Sequence, residues 1–303
     1  MGRIAVVTDD PGWHGKRLRE SLARRGFTAH FLSLTTCQLS TDNHALPVLM
    51  PGFEKQLPDG VFVRGIPGGS FEQVTVYLDI LHALKILGLT VYNDAQAIER
   101  TVDKAMTSFL LKKHGIPTPS TWVLSDAAQA KDILASEISK GHSVVSKPIF
   151  GSQGQGLRRY ETLSDLTTFS PDNGVFYLQR FINSGDQSHD FRVFVINGKS
   201  VAAMRRCGLT WLNNVHQGAL CEPVRLDDLL LCRLAEEAVR VLDMGYAGVD
   251  IIRDENGRYS VLEVNSIPAW KGLQGVTDLS ISDRLVDDFI SICGPCTALE
   301  SRA

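Results

Sequence analysis

The stretch YAGVDIIRDENGRYSVLEVN, residues 246–265, decides how this chain is read. Two runs rich in β-branched and aromatic residues, Gly248 to Arg253 and Tyr259 to Asn265, flank the turn-forming Asp254-Glu-Asn-Gly257. That pattern predicts a β-hairpin. A two-residue turn at Asn256 and Gly257 places Asp250 directly opposite Glu263, with Asn265 two residues further along the same face. Val249, Ile251, Leu262 and Val264 then point toward the core. Two carboxylates and an amide oxygen converge, and these hard oxygen donors suit Mg²⁺ shared with nucleotide phosphates. The plainer reading is the solvated face of an edge hairpin. The apolar surroundings of Asp250 favour the metal site.

Upstream, Ser143 to Pro148 reads as a strand that runs into Gly151-Ser-Gln-Gly154-Gln-Gly156. Small residues let backbone N–H groups turn toward a polyphosphate and approach it closely. The spacing is neither that of the dinucleotide-binding fingerprint nor that of a Walker loop, and alone it fits an ordinary loop equally well. Lys147 on the preceding strand adds an ammonium within reach of phosphates under such a loop.

A third group lies between these two. Asp190 and Arg192 share one face of a strand, and Arg205 and Arg206 end the next one after the hairpin signal Asn197-Gly198. A polar loop with Asn213, Asn214, His216 and Gln217 follows. Arginines here would hold a substrate carboxylate or stabilise a transferring phosphoryl group. A surface ion pair and an ordinary loop are the rival reading.

Working outward, the first ~95 residues alternate strand and helix, which implies a small parallel α/β unit. Strands are expected at Arg3 to Thr8, Phe27 to Leu34, Gly60 to Arg64 and Leu89 to Asn93, with helices at Lys16 to Arg25 and Phe71 to Leu87. A single helix is expected over Asp94 to His114. Beyond it come strands at Trp122 to Leu124, Phe176 to Phe181, Arg192 to Ile196 and Ser200 to Arg205, and helices at Asp126 to Lys140, Leu226 to Leu242 and Asp283 to Ile292. A chain of 303 residues exceeds one hydrophobic core, so two or three sub-domains are expected. The net charge of −3 gives no overall pull toward nucleic acid or an anionic membrane. No apolar run approaches the roughly 20 residues of a membrane span, and the N-terminus does not read as a signal peptide, so we expect a cytoplasmic protein. Six scattered cysteines are expected to be reduced thiols, and the Cys293-Gly-Pro-Cys296 pair, which has the spacing of thioredoxin-type redox sites, is read as structural or incidental.

These residues fall in a familiar order. Asp103-Lys104, Gly115-Ile-Pro-Thr-Pro119, Ser146-Lys147-Pro148 with its glycine loop, Asp190-Phe-Arg192, Asn213-Asn-Val-His-Gln-Gly218, Gly248-Val-Asp-Ile251 and Leu262-Glu-Val-Asn-Ser-Ile-Pro268 follow one another. The chain resembles the RimK-type α-L-glutamate ligases of the ATP-grasp superfamily over nearly its whole length. The resemblance implies a mixed α/β (α+β) ATP-grasp fold. It divides the chain into a pre-ATP-grasp domain (residues 1–95), a central subdomain (96–180) and a C-terminal subdomain with the metal site (181–303).

It also implies roles. Lys104, Lys147 and the loop Gly151, Ser152, Gln153, Gly154 and Gly156 would contact ATP phosphates. The hinge Gln179, Arg180, Phe181 and Ile182 would meet adenine, Asp190 the ribose, and Asn213 would lie near the phosphates. Asp250, Glu263 and Asn265 would bind two Mg²⁺ ions, which Mn²⁺ would replace. Arg192 and Arg205 would face the acceptor. Arg180 departs from the acidic residue usual after the hinge glutamine, and Leu212 from a usual basic one. Bulky Trp270, with Trp211, is read either as core or as a stacking surface for a flat ring.

The implied reaction phosphorylates an acceptor carboxylate and lets an amine, that of L-glutamate, displace phosphate to form an amide. The acceptor would be a coenzyme precursor such as a pterin, or a protein, and the enzyme is expected to be a homo-oligomer. A ligase for another amino acid or a dipeptide, and a non-catalytic nucleotide-binding regulator, are the alternatives.

Overall fold

The structure is a computed structural model that describes residues 2–42, 46–151, 155–185, 187–208, 210–211 and 218–293. Its elements begin with β1 (Gly2–Val7), α1 (Gly12–Arg24), β2 (Phe27–Leu32), β3 (Gln38–Leu39), β4 (Val48–Leu49), β5 (Gly60–Val63), α2 (Phe71–Ile86), β6 (Val91–Tyr92) and α3 (Ala95–Val102). Then come α4 (Lys104–Lys113), β7 (Thr121–Leu124), α5 (Ala127–Ser139), β8 (Val144–Lys147), β9 (Arg158–Tyr160), β10 (Phe176–Arg180), β11 (His189–Ile196), β12 (Lys199–Cys207) and β13 (Leu220–Val224). The chain closes with α6 (Leu229–Val241), β14 (Tyr246–Arg253), β15 (Tyr259–Asn265), α7 (Lys271–Gln274) and α8 (Ile281–Ile292).

By contact the chain forms two units. The first gathers residues 1–99, 244–247 and 266–303, and the second gathers 100–243 and 248–265. In the first unit β2-β1-β5-β6 form a sheet whose neighbours are all parallel. Ile4, Ala5, Val6 and Val7 are fully buried, as are Val61, Phe62 and Val63, because helices cover both faces of a parallel sheet. Helix α2 starts in a capping box: Ser70 accepts from the Gln73 amide and Gln73 accepts from the Ser70 amide. Asn93 joins distant segments, donating to Tyr246 O and Ser266 O at 2.7 Å each and accepting from Gly245 N at 2.9 Å. Helix α8 packs on α1 through Ser21 and Arg25, which both reach Asp283, at 2.6 and 2.9 Å.

The second unit holds two antiparallel sheets, β7-β10-β8-β9 and β13-β12-β11-β14-β15. Asp103 ends the single helix expected over Asp94 to His114. Its carboxylate caps α4 by accepting from Ala105 N and Met106 N, so α3 and α4 are separate. The short β3 and β4 of the first unit and two strands of this one were not expected. In β13, Pro223 discourages a strand reading, but β13 lies at the sheet edge, where a missing N–H is tolerated. In β9, only three residues pair with β8. No described helix is long and apolar enough to cross a membrane. The described cysteines, Cys37, Cys207, Cys221, Cys232 and Cys293, are free thiols, while Cys296 lies outside the described residues.

Candidate functional site

The hairpin of β14 and β15 places Asp250 opposite Glu263, as expected, but by another route. The turn is not Asn256-Gly257 alone. Gly257 N–H donates to Asp254 O and Asp254 N–H to Arg258 O, both at 2.9 Å, which makes a three-residue loop. Gly257 takes φ +80°, the left-handed conformation this loop requires at its last position. The extra loop residue shifts the register by one, pairing Ile251 with Val261. A bulge at Leu262 shifts it back before Asp250. As a result Val261, not Leu262, joins Val264 as a buried apolar residue of this strand, and Leu262 is half-buried.

Asp250 is almost fully buried and lies in a chain of four charges. Arg192 donates to it bidentately, Nε to Oδ1 and Nη2 to Oδ2, both at 2.7 Å. Arg206 Nη2 stands 3.0 Å from Asp250 Oδ2 and is itself forked onto Asp190, Nε to Oδ1 at 2.7 Å and Nη2 to Oδ2 at 2.5 Å. The strand register explains the grouping: Asp190 pairs with Arg206 across β11 and β12, and Arg192 follows on the same face. Burial pushes the Asp250 carboxyl up, but the two guanidiniums outweigh it and hold it below the usual range. Burial disfavours the charged form of Arg206, and the Asp250 and Asp190 carboxylates more than restore it.

Arg205 is not brought to this group. It pairs in register with Phe191 and Glu222, on the opposite face, where its guanidinium lies 3.7 Å from Glu222. Arg206, not Arg205, meets the Asp190 and Asp250 carboxylates. Asn265 lies two residues beyond Glu263, and its Nδ2 is buried without a hydrogen-bond partner among the described residues. The half-buried Glu263 carboxylate likewise has no hydrogen bond or ion pair with a described side chain. It does act electrostatically on both Lys104 and Lys147.

The two lysines come from different elements. Lys147, at the end of β8, donates to Gln179 Oε1 at 2.7 Å. Gln179 is buried and donates to Thr121 Oγ1 at 3.1 Å and Tyr177 OH at 3.2 Å, so its amide orientation is determined. Lys104, the first residue of α4, donates to Ile149 O at 3.0 Å and Gly151 O at 2.8 Å, at the start of the glycine loop. Burial lowers the pKa of both ammonium groups, and Glu263 opposes the shift. Gly156 takes φ +73° at the far end of that loop. Ser152, Gln153, Gly154 and Asn213, with the rest of the polar loop at 212–217, lie outside the described residues.

The hinge is already partly committed. Arg180 N–H donates to Ser120 O at 2.8 Å and Phe181 N–H to Ser143 O at 2.9 Å, whereas Ile182 N–H has no partner among the described residues. The Arg180 side chain turns to the buried Glu137, with Nε and Nη2 at 2.9 and 2.6 Å from Oε2. Glu137 also meets Lys140 and His142, which explains how a basic residue is accommodated here. Phe181 carries the Arg159 guanidinium at 3.8 Å and meets Trp211 edge-on at 6.1 Å. Trp270 is fully buried in the first unit, packed by His14, Trp13 and Arg64, so its ring faces are not open to stack on a substrate. A cavity of about 770 Å³ includes Arg180, Ile182, Leu234 and Tyr259 but none of the predicted phosphate or metal residues.

Fold and domain order together define a class, an ATP-dependent ligase with the ATP-grasp fold. The chain belongs to the RimK-like ATP-grasp family: residues 101–289 match the RimK-like ATP-grasp domain, and residues 2–98 match the RimK PreATP-grasp domain. It is similar to the Tetrahydromethanopterin:alpha-L-glutamate ligase of Methanococcus maripaludis, at 35% identity over 239 residues that cover 76% of this chain and 78% of the relative. It is also similar to the Probable alpha-L-glutamate ligase of Parasynechococcus marenigrum, at 30% identity over 294 residues that cover 94% of this chain and 61% of the relative. Among solved structures it resembles the ATP-grasp ligase PsnB complexed with minimal precursor, with TM-score 0.72 at 19% identity over 95% of this chain and 98% of that one. The RimK domain protein ATP-grasp from Sphaerobacter thermophilus DSM 20745 superimposes with TM-score 0.71 at 20% identity, over 95% of this chain and 99% of that one. At such identities these two structures show the fold alone.

Proposed function

We propose that this enzyme joins L-glutamate to an acceptor carboxylate, converting ATP to ADP and phosphate. The observation that carries this reading is the meeting of Asp250, Glu263 and Asn265 on one face of the β14–β15 hairpin, with Lys104 and Lys147 in the electrostatic reach of Glu263. The choice of glutamate rests on the relatives, whose names specify alpha-L-glutamate ligases. A pterin of the tetrahydromethanopterin type is the first acceptor to try, and a protein carboxylate the second.

Lys147 and Lys104, with the loop from Gly151 to Gly156, bind the phosphates. The hinge from Gln179 to Ile182 takes adenine, with Ile182 N–H as the open donor. The Asp190 carboxylate is forked by Arg206, so a ribose hydroxyl reaches its remaining lone pairs. The residues fit Mg²⁺. Glu263 has both oxygens unclaimed among the described residues, Asn265 contributes an amide oxygen, and Asp250 Oδ1 accepts one hydrogen bond and keeps a lone pair. Two Mg²⁺ ions, or Mn²⁺, bound there would neutralise charge on the phosphates. The protein's own part is positioning: Arg192 and Arg206 hold Asp250 in place, and Arg192, half-buried, offers its face to the acceptor. The three-part division at 95/96 and 180/181 and a homo-oligomeric state belong to the same proposal.

The test follows phosphate release from ATP with L-glutamate and a panel of pterin and protein acceptors. Release that needs both L-glutamate and an acceptor supports the reading. ATP binding without turnover for every pair would favour a regulatory nucleotide-binding role.

A further inference from the structure

In the first unit the chain leaves β1 toward β2 and later returns on the other side of β1, at β5. Such a reversal between neighbouring parallel strands opens a crevice at their carboxyl ends, where open α/β sheets take ligands. Arg64 directly follows β5, and Trp13 and His14 lie just after the loop that follows β1.

Arg64 has only neutral partners among the described residues. Its Nη1 donates to Pro268 O at 3.1 Å, and the Tyr246 hydroxyl faces it. Its guanidinium lies 4.7 Å from the centroid of Trp270, and its buried Nε has no hydrogen-bond partner among the described residues. His14 meets the same indole at 4.5 Å, and its Nε2 accepts from the Trp270 backbone N–H at 3.1 Å. That bond leaves the ring proton on Nδ1, a donor with no acceptor among the described residues. Burial first, then Arg64 and Lys271, push the His14 pKa down to about 4, so the ring is neutral in ordinary buffers. Lys271, exposed and next to Trp270, adds a second cation with no ion pair to a described residue. A half-buried guanidinium, an ammonium and an imidazole N–H therefore surround one indole, and no carboxylate among the described residues answers them. Leaving a cation out of water without a counter-charge is costly, and a planar guanidinium braced on an aromatic face matches a carboxylate.

We propose that this crevice is a carboxylate-binding site of the first unit and that Arg64 selects an acidic substrate there. The inference rests on the ligase reading for its ligand class, because both substrates of that reaction carry carboxylates. The shared chemistry is an amino-acid carboxylate, and it has two sources: free L-glutamate or the acceptor.

The experiment titrates the full-length enzyme calorimetrically with L-glutamate, N-acetyl-L-glutamate and L-glutamine, beside the Arg64→Gln, His14→Gln and Lys271→Gln variants. N-acetyl-L-glutamate keeps both carboxylates but lacks the nucleophilic amine, so it stands for the acceptor. Binding of L-glutamate alone assigns the site to the amine substrate, and binding of the acetylated compound assigns it to the acceptor. In either case Arg64→Gln weakens binding at least about tenfold and Lys271→Gln about threefold, while Mg-ADP affinity stays within about twofold. Surface Lys271→Gln keeps the test decisive if Arg64→Gln misfolds. Unaltered carboxylate affinity in folded variants, or no binding to the wild type, overturns the site. Phosphate release separates the two readings. Acceptor-dependent turnover with unchanged KM for both substrates in the variants rejects the crevice and keeps the ligase. Absence of turnover in the wild type rejects the ligase, and the titration still judges the crevice.

Discussion

Arg206 is forked onto Asp190 at 2.7 and 2.5 Å, while the same Nη2 that donates to Asp190 also stands 3.0 Å from Asp250. One buried guanidinium thus sets two carboxylates that the proposed reaction uses differently, one for ribose and one for metal. Replacing it by Met leaves Asp190 buried with no cation of its own. Arg206→Met is expected to cost about 3–5 kcal/mol of stability, the usual result of breaking a buried pair on one side. Urea unfolding checks this, and a loss below about 1 kcal/mol would place the pair among ordinary surface ion pairs.

Lys147→Ala is expected to weaken ATP binding and abolish turnover while the protein stays folded. The ammonium's one described hydrogen bond is to Gln179, so little packing is lost with it. Nucleotide titration with circular dichroism on the same sample is the measurement, and wild-type affinity and turnover would remove Lys147 from the phosphate site.

Glu263→Gln is expected to leave the fold intact, since the carboxylate has no hydrogen bond or ion pair to a described residue to lose. Phosphate release should fall by at least about 100-fold, with acceptor affinity nearly unchanged and only partial rescue by added Mg²⁺, because a neutral amide supplies neither the charge nor the geometry. Near-normal rates at low Mg²⁺ would contradict the metal site.

A fourth expectation concerns acid stability. Burial raises the Asp283 carboxyl pKa, but bonds from Ser21, Ser280, Arg24 and Arg25 overcome this and hold it well below the usual 3.8. A folded-state value below the unfolded one gives stability that is full above the unfolded pKa and is lost as pH falls through the folded one. Wild-type stability should therefore drop as pH is lowered below about 4, and Asp283→Asn should be weaker at neutral pH with a shallower acid slope. Parallel acid slopes in urea melts at several pH values would exclude this pairing as the cause.

Much of the site was legible because strand alternation is a local property. Glu263 and Asn265 share a face in any strand, and Asp250 joins them only in the register that sets it opposite Glu263. The predicted pairing of Asp250 with Glu263 holds because the three-residue loop and the bulge at Leu262 cancel. Neither was readable, since Asn256-Gly257 suits both a two-residue turn and the end of a longer one, and a bulge leaves no composition mark. Which of Arg205 and Arg206 meets Asp190 was not readable for a related reason. Two adjacent arginines on a strand face opposite sides, and only the register of β12 against β11 says which side holds Asp190.

The sequence by itself determined the family and most of the strands and helices, because turn chemistry and periodicity act over a few residues. Only the tertiary structure decided which charges are paired. Arg180 finds Glu137, Arg206 finds Asp190 and Asp250, and Arg64 finds only neutral partners among the described residues beside a buried Trp270. Each of these partners is distant along the chain. A charge's partner depends on which strands lie side by side, and packing of the whole unit sets that arrangement.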